Sequence, residues 1–334
     1  MAHLFADNGC RVMIWSHNQQ ACASINRYHE NRVFMPGIPL QKSITATESL
    51  EEALNFAHLL VVVIPSKFLR SVLDKISGRL RPNHVILSAT KGIENTTLKI
   101  PGQIISEFLP ADYPHQPAFL SGPNFALEVA KRHPTATVIA SKDGRFARRV
   151  QRILSNTYFR CYTNDDIIGV QLGGAVKNII AIASGILVGL GIGSNSQAAL
   201  ITRGLAEITR LGVKLGAQVI TFFGISGLGD LVLTATGKLS RNRRVGELLG
   251  KGHTLANILS TMQMVAEGVR TTKSVYNLAR KLDIEMPITN EVYNILYEHK
   301  PVKDAVESLM SRSLKDETGG YGDLYKQYLH LGED

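Results

Sequence analysis

A lysine stands in the middle of the most apolar stretch of this chain. The stretch runs from Ile167 to Gly189 and is apolar almost all round, the pattern of a helix buried in a protein or spanning a bilayer. Lys177 and Asn178 sit at its centre, where an ammonium is hardest to solvate. Gly173 and Gly174 come four and three residues earlier on the same helical face. The notch they leave suggests close approach by another backbone or by a ligand. A buried lysine with room beside it is suited to moving a proton. A bilayer span would need about 20 mainly apolar residues, and a central lysine would cost it about 3 kcal/mol. No second run exists to pair with it, so no membrane span is expected. A lysine reaching from a core helix to the surface is the stronger plain alternative.

Other residues converge on the same chemistry. In Phe223-Gly224-Ile225-Ser226-Gly227-Leu228-Gly229-Asp230-Leu231 one acid follows three spaced glycines, and its ordinary role would be a helix cap. Ser240-Arg241-Asn242 opens the only tight basic cluster, and an arginine fork binds phosphate oxygens in pairs. Ligands of open α/β sheets sit beyond the carboxyl ends of strands, and three such ends carry polar groups. They are Ile64-Pro65-Ser66, Thr90-Lys91-Gly92 and Ser121-Gly122-Pro123-Asn124-Phe125-Ala126. Each alone is an ordinary turn; three on one sheet edge point to a site. Val265 to Thr271, with Gly268 inside it, reads as a mobile loop.

The elements that must hold these residues alternate in the first half. Ala2 to Asn8 reads as the end of a helix with Gly9 beyond it. Strands are expected at Arg11–Trp15, Leu59–Ile64, Val85–Ala89, Ala118–Leu120, Ala136–Ala140 and Tyr158–Tyr162, and helices at Gln19–Glu30 and Ser49–Ala57. Continuous apolar strands suit a parallel sheet covered on both faces. This argues for a doubly wound α/β domain over residues 1–164. After Asn164-Asp165-Asp166 only glycine-studded helices follow, giving an all-α domain over residues 165–334. The polar tail from about Lys315 reads as loosely held.

Length and charge fit that division. A chain of 334 residues accommodates two domains. Its net charge of +9 favours anionic ligands. The basic residues are scattered without interleaved aromatics, so nucleic acid is not expected and a phosphorylated small molecule is. Cys10, Cys22 and Cys161 form neither a disulfide framework nor a zinc pattern, and the histidines have no metal-binding spacing. No metal, a reducing compartment and a cytoplasmic location follow as expectations.

A dinucleotide fingerprint, GxGxxG, would stand between a first strand and the helix ending near Asn8. The sequence starts inside that helix. A strand and turn would need on the order of 15–20 more residues, so the working protein is expected to be longer at its N-terminus. A carboxylate ending the second strand would bind the ribose hydroxyl of NAD. Here Trp15-Ser16-His17-Asn18 closes the strand and the next acid is Glu30, which favours NADPH over NADH.

Thr90-Lys91-Gly92, Ser121 to Ala126, Leu172-Gly173-Gly174-Ala175-Val176-Lys177-Asn178, Gly227-Leu228-Gly229-Asp230, Ser240-Arg241-Asn242 and Glu267-Gly268 together resemble one family. It is the soluble NAD(P)-dependent glycerol-3-phosphate dehydrogenases of bacteria, and the stretches keep its order and spacing over almost the whole chain. The resemblance implies a Rossmann-like first domain and interconversion of dihydroxyacetone phosphate and sn-glycerol 3-phosphate with NADP or NAD, feeding glycerophospholipid synthesis. It implies Lys177 as the acid and base on the C2 oxygen. Lys91, Gly122, Asn124, Asp230, Ser240, Arg241 and Asn242 would hold the substrate with it. His17, Phe34, Lys91, Ala126, Arg241, Val265 and Glu267 would line the cofactor, and the enzyme would be a homodimer. Asn124 stands where the family usually carries a small hydroxyl residue. The alternatives are a truncated, non-catalytic nucleotide-binding remnant and a hydroxy-acid dehydrogenase of the same two-domain build.

Overall fold

The computed structural model describes residues 1–262, 266–314, 316 and 317. Val265 and the tail from Lys315, apart from 316 and 317, lie outside the described residues. The chain divides into two compact units. One comprises Met1–Ile64, Phe68–Thr90 and Gln103–Ile167; the other comprises Pro65–Lys67, Lys91–Gly102 and Ile168–Asp334. Lys91 and Ser66 thus belong with the helices, although the chain supplies them from the ends of strands.

The first unit begins α1 (Ala2–Asp7), β1 (Val12–Trp15), α2 (Gln19–Tyr28), β2 (Ile44–Thr47), α3 (Leu50–Phe56) and β3 (Leu59–Val62). It continues with α4 (Ser66–Ser77), β4 (Val85–Ser88), α5 (Pro101–Phe108) and β5 (Ala118–Ser121), the first two residues of α4 and of α5 belonging to the other unit. It closes with α6 (Ala126–Ala130), β6 (Thr135–Ala140), α7 (Gly144–Leu154) and β7 (Phe159–Asn164). Helix starts follow their caps: Asn18, Ser49 and Asp143 each accept a backbone N–H of the first turn. Five strands form one sheet in the order β3-β4-β5-β6-β7, and β1 pairs with β2 in a separate parallel pair.

Two details depart from the sequence reading. The strand β2 is absent from that reading, because four residues between polar loops carry too little pattern to stand out. β6 runs antiparallel to β5 while the β3–β4, β4–β5 and β6–β7 pairs are parallel, so the larger sheet is mixed. Apolar alternation reports which face a side chain takes, not which way the strand runs. Position in the sheet decides burial: β5, with a neighbour on each side, is buried throughout, whereas all of β1 is half-buried. Leu87, Ala118, Leu120 and Ile139 pack against Phe146, Val150 and Leu154 of α7, whose apolar residues recur at helical spacing.

The second unit is helical among its described residues. It holds α8 (Ile167–Gly189), α9 (Ser194–Lys214), α10 (Val219–Phe223), a π-helical turn (Ile225–Gly229) and α11 (Asp230–Thr236). Then come α12 (Arg241–Gly250), α13 (Leu255–Thr261), α14 (Glu267–Leu282), α15 (Pro287–Tyr297) and α16 (Val302–Met310). By length and apolarity α8 could cross a membrane, yet it is buried in protein from Gly169 to Leu187. It is the core helix around which the others pack.

Glycines set how closely they pack. Gly185 and Gly189 of α8 face Gly246 and Gly250 of α12. A Cβ on Gly246 would overlap the Ile182 carbonyl, and one on Gly185 would overlap that of Arg243. Two small-xxx-small stripes therefore bring the backbones into contact. Elsewhere Glu207 of α9, fully buried, accepts hydrogen bonds from Ile288 N (2.6 Å), Thr289 N (3.1 Å) and Thr289 Oγ1 (3.1 Å). It caps α15 behind Pro287, a residue suited to the first helical position. Burial pushes its carboxyl up to about 7 against the pull of those hydrogen bonds.

Candidate active site

The centre of the helical unit is a carboxylate held by two ammonium groups. Lys177, buried midway along α8, donates to Asp230 Oδ1 and, at 2.7 Å, to Thr234 Oγ1. Lys91 donates to Asp230 Oδ2 at 2.8 Å. Asp230 is only 1% exposed, so one buried carboxylate orients both amines, that of Lys177 away from bulk water and that of Lys91 from a half-buried position. The Thr234 hydroxyl donates to the Asp230 carbonyl at 2.6 Å, which leaves its oxygen free to accept from Lys177.

Local structure explains how Asp230 arrives there. The π-helical turn precedes it, and such a turn re-aims the residues after it. Gly173 makes room for that turn: a Cβ on it would stand 2.7 Å from the Ser226 carbonyl oxygen. The notch expected on this face of α8 thus admits another backbone at Gly173. A Cβ on Gly227 would overlap the Phe222 carbonyl, so the turn itself needs glycine.

Burial lowers the Lys177 amine from its ordinary value to about 7, the neighbouring Lys91 charge acts the same way, and Asp230 opposes both. Near neutral pH this amine is divided between its two protonation states, which is the condition for giving and taking a proton.

Around the triad the helical unit gathers further residues. Ser240 caps α12, its hydroxyl accepting Arg243 N at 3.2 Å. Arg241 opens that helix with an exposed side chain. Asn242 is buried, and its Oδ1 accepts Gly268 N at 2.9 Å. Glu267 opens α14 rather than lying in a loop and accepts the Ser66 hydroxyl at 2.9 Å. Burial raises its carboxyl, opposed by Ser66 and by the charges of Arg270, Arg241 and Lys67.

The first unit holds the other expected residues. Gly122 packs against Thr137 of β6, where a Cβ would stand 3.0 Å from Thr137 Cα. Asn124 Nδ2 donates to Thr137 Oγ1 at 3.3 Å, and Ala126 opens α6. His17, past the end of β1, and Phe34 are both exposed. Val265 lies outside the described residues.

The strand ends of this unit fit a dinucleotide in part. Ser16, His17 and Asn18 come after β1 with no acid among them, and Glu30 is engaged by Gly37 N and Arg32. The pairing of Trp15 with Thr47, however, brings Glu48 beside that end, where Trp15 Nε1 donates to its carbonyl at 3.0 Å. Chain order alone shows no acid there, because the strand that delivers Glu48 is too short to read from its pattern. The bond is made by the Glu48 backbone, so it leaves the NADPH expectation where the sequence put it.

One site residue, Thr234, is absent from the sequence reading, and Ser66 enters it without a partner. Thr234 lies one helical turn after Asp230, a spacing that could have flagged it. Ser66 stands in a motif noted at a strand end, but nothing in the sequence pairs it with Glu267.

Comparison with known proteins shows what the chain as a whole is similar to. Residues 1–147 match the family model described as NAD-dependent glycerol-3-phosphate dehydrogenase N-terminus, and residues 166–307 match the model for its C-terminus. The chain is 50% identical over 317 residues to the glycerol-3-phosphate dehydrogenase (NAD(P)+) of Geobacter sp. (strain M21), covering 95% of each. It is 49% identical, with the same coverage, to that of Leptospira biflexa. Among solved structures, glycerol-3-phosphate dehydrogenase from Coxiella burnetii superposes with a TM-score of 0.89 at 36% identity, covering 93% of this chain and 94% of that one.

Proposed function

The chain belongs to the NAD-dependent glycerol-3-phosphate dehydrogenase family, and on that premise we propose that Lys177 carries the proton of its reaction. The protein is an NAD(P)-dependent oxidoreductase interconverting dihydroxyacetone phosphate and sn-glycerol 3-phosphate. The observation that carries the Lys177 assignment is a buried amine, lowered to about 7 and fixed by Asp230 and Thr234.

When bound, the nicotinamide supplies the hydride that reduces C2 of the ketone and takes it back in reverse. Charge then develops on the C2 oxygen, and Lys177 Nζ donates its proton there. In the oxidative direction the neutral amine accepts that proton. Lys91, with its ammonium held on Asp230, stabilises the developing oxyanion. Asp230 sets the direction of both amines, and Thr234 narrows the choice for Lys177 further. A remnant that had lost catalysis would have no reason to keep this buried, mutually satisfied set, whose burial is costly.

Arg241 is the proposed phosphate ligand. It stands at the N-terminus of α12, where the helix end also favours an anion. Arg241→Lys is expected to raise KM for the phosphorylated substrate about tenfold, because an ammonium cannot replace a bidentate fork. An unchanged KM counts against this role. On the nucleotide side we assign Glu267, and in the first unit His17, Phe34 and Ala126. The reaction itself is tested by oxidation of NADPH and of NADH dependent on dihydroxyacetone phosphate. Absence of turnover with both cofactors overturns the assignment.

The assembly we propose is a homodimer. Ile220 and Phe223 of α10 are 59% and 49% exposed, and Val232 and Leu239 are exposed nearby in sequence. Light scattering should give twice the chain mass, and Phe223→Asp should halve it. A monomeric wild type removes the proposal. The proposed compartment is the cytoplasm, in keeping with three free thiols, of which Cys161 is pushed up to about 11 by burial and is inert.

A further inference from the structure

Two short segments from the first half of the chain belong to the helical unit, and they meet there. Ser66 opens α4 and is 5% exposed. Its hydroxyl donates to Glu267 Oε2 at 2.9 Å. Gly92, the residue after Lys91, lies against this pair at φ +130°, a conformation open to glycine. A Cβ on Gly92 would stand 2.7 Å from Ser66 Oγ and 3.6 Å from Glu267 Oε2. The backbone of the Lys91–Gly92 turn therefore rests directly on the Ser66–Glu267 hydrogen bond.

Both ends of this arrangement are tied to the triad. Lys91 reaches Asp230 at 2.8 Å. Behind Glu267, Gly268 N is accepted by Asn242, and a Cβ on Gly268 would stand 2.8 Å from the Asn178 carbonyl oxygen. The first turn of α14 is thereby pinned to α8 at the residue next to Lys177.

We propose that Ser66 is a positioning residue: its hydrogen bond to Glu267 is the floor under the Lys91–Gly92 turn and fixes how close the Lys91 ammonium stands to Lys177. The inference rests on Lys177 as the proton carrier and deepens that reading. The charged groups acting on Lys177 are Asp230, from α11, and Lys91, from the turn. Those facing Glu267 are Arg270, Arg241 and Lys67. Lys91 pushes the Lys177 amine toward its neutral form. If the floor is removed the turn slackens, Lys91 withdraws, and Lys177 holds its proton to higher pH.

The test is the pH dependence of kcat/KM for sn-glycerol 3-phosphate oxidation, which rises as Lys177 loses its proton. It is run on the wild type, Ser66→Ala, Glu267→Ala and the double variant. Each single variant should move the rising limb up by about half a pH unit. The double variant should move it no further than one single variant does, since both remove the same bond. A purely structural role would lower the melting temperature and leave the limb in place, and that result overturns the proposal. Additive shifts in the double variant overturn it too. Lys177→Ala, run in parallel, separates the two readings. If it is inactive and the Ser66→Ala limb is unmoved, only the role of Ser66 falls; if it is active, both readings fall.

Discussion

Replacing Lys177 by alanine should lower kcat about a thousandfold in both directions, the usual contribution of a positioned acid and base. NAD(P)H affinity should stay within about twofold, because the interaction lost is one made in the transition state. The substitution leaves Asp230 buried with Lys91 as its remaining ammonium partner in the triad. It also vacates a lysine-shaped space beside Thr234, which a small primary amine could enter. Partial rescue by ethylamine, scaling with its neutral fraction in the oxidative direction, would identify the missing group as a proton acceptor. In the wild type the oxidative kcat/KM should rise with pH through a midpoint of about 7, since the neutral amine accepts the proton. Wild-type turnover by Lys177→Ala would remove the lysine from the mechanism.

The second large effect is structural. Gly246→Ala should destabilise the protein by about 3 kcal/mol, the upper range for overpacking a filled core. Its new methyl would overlap the Ile182 carbonyl oxygen, a backbone atom that cannot step aside without moving a helix. Displacing α12 from α8 also moves Asn242 from the first turn of α14, where it accepts Gly268 N. Loss of stability should therefore come with a raised KM for the phosphorylated substrate. Denaturant unfolding measures the first effect and steady-state kinetics the second. Gly78→Ala is the control: nothing lies within 4 Å of its added methyl, so its effect should stay within about 0.5 kcal/mol. Equal stability of the Gly246 and Gly78 variants would show that the α8–α12 contact has room to spare.

Much of the site was legible because its chemistry is costly in the wrong place. A lysine in a 23-residue apolar helix and an acid after spaced glycines are exceptions that ask for a reason. Their types suggested a chemistry, proton transfer at an anionic substrate, and the structure brings the two side chains together. The alternation of apolar strands and helices likewise announced an α/β half before an α half. Both rest on local rules: periodicity selects the element, and burial energetics restrict where a charge can sit.

The sequence by itself thus determined the division into an α/β half and an α half, most of the strands of the first, and the buried lysine and the aspartate that meet in the second. The tertiary structure alone decided their partners. It placed Lys91 and Ser66 with the helices rather than with their own strands, turned β6 against its neighbours, brought Glu48 beside the end of β1, and matched the two glycine stripes of α8 and α12. Each of these joins residues far apart in the chain. Spacing along the sequence carries no record of such contacts, because they are fixed by which surfaces fill one another's grooves once the backbone has folded.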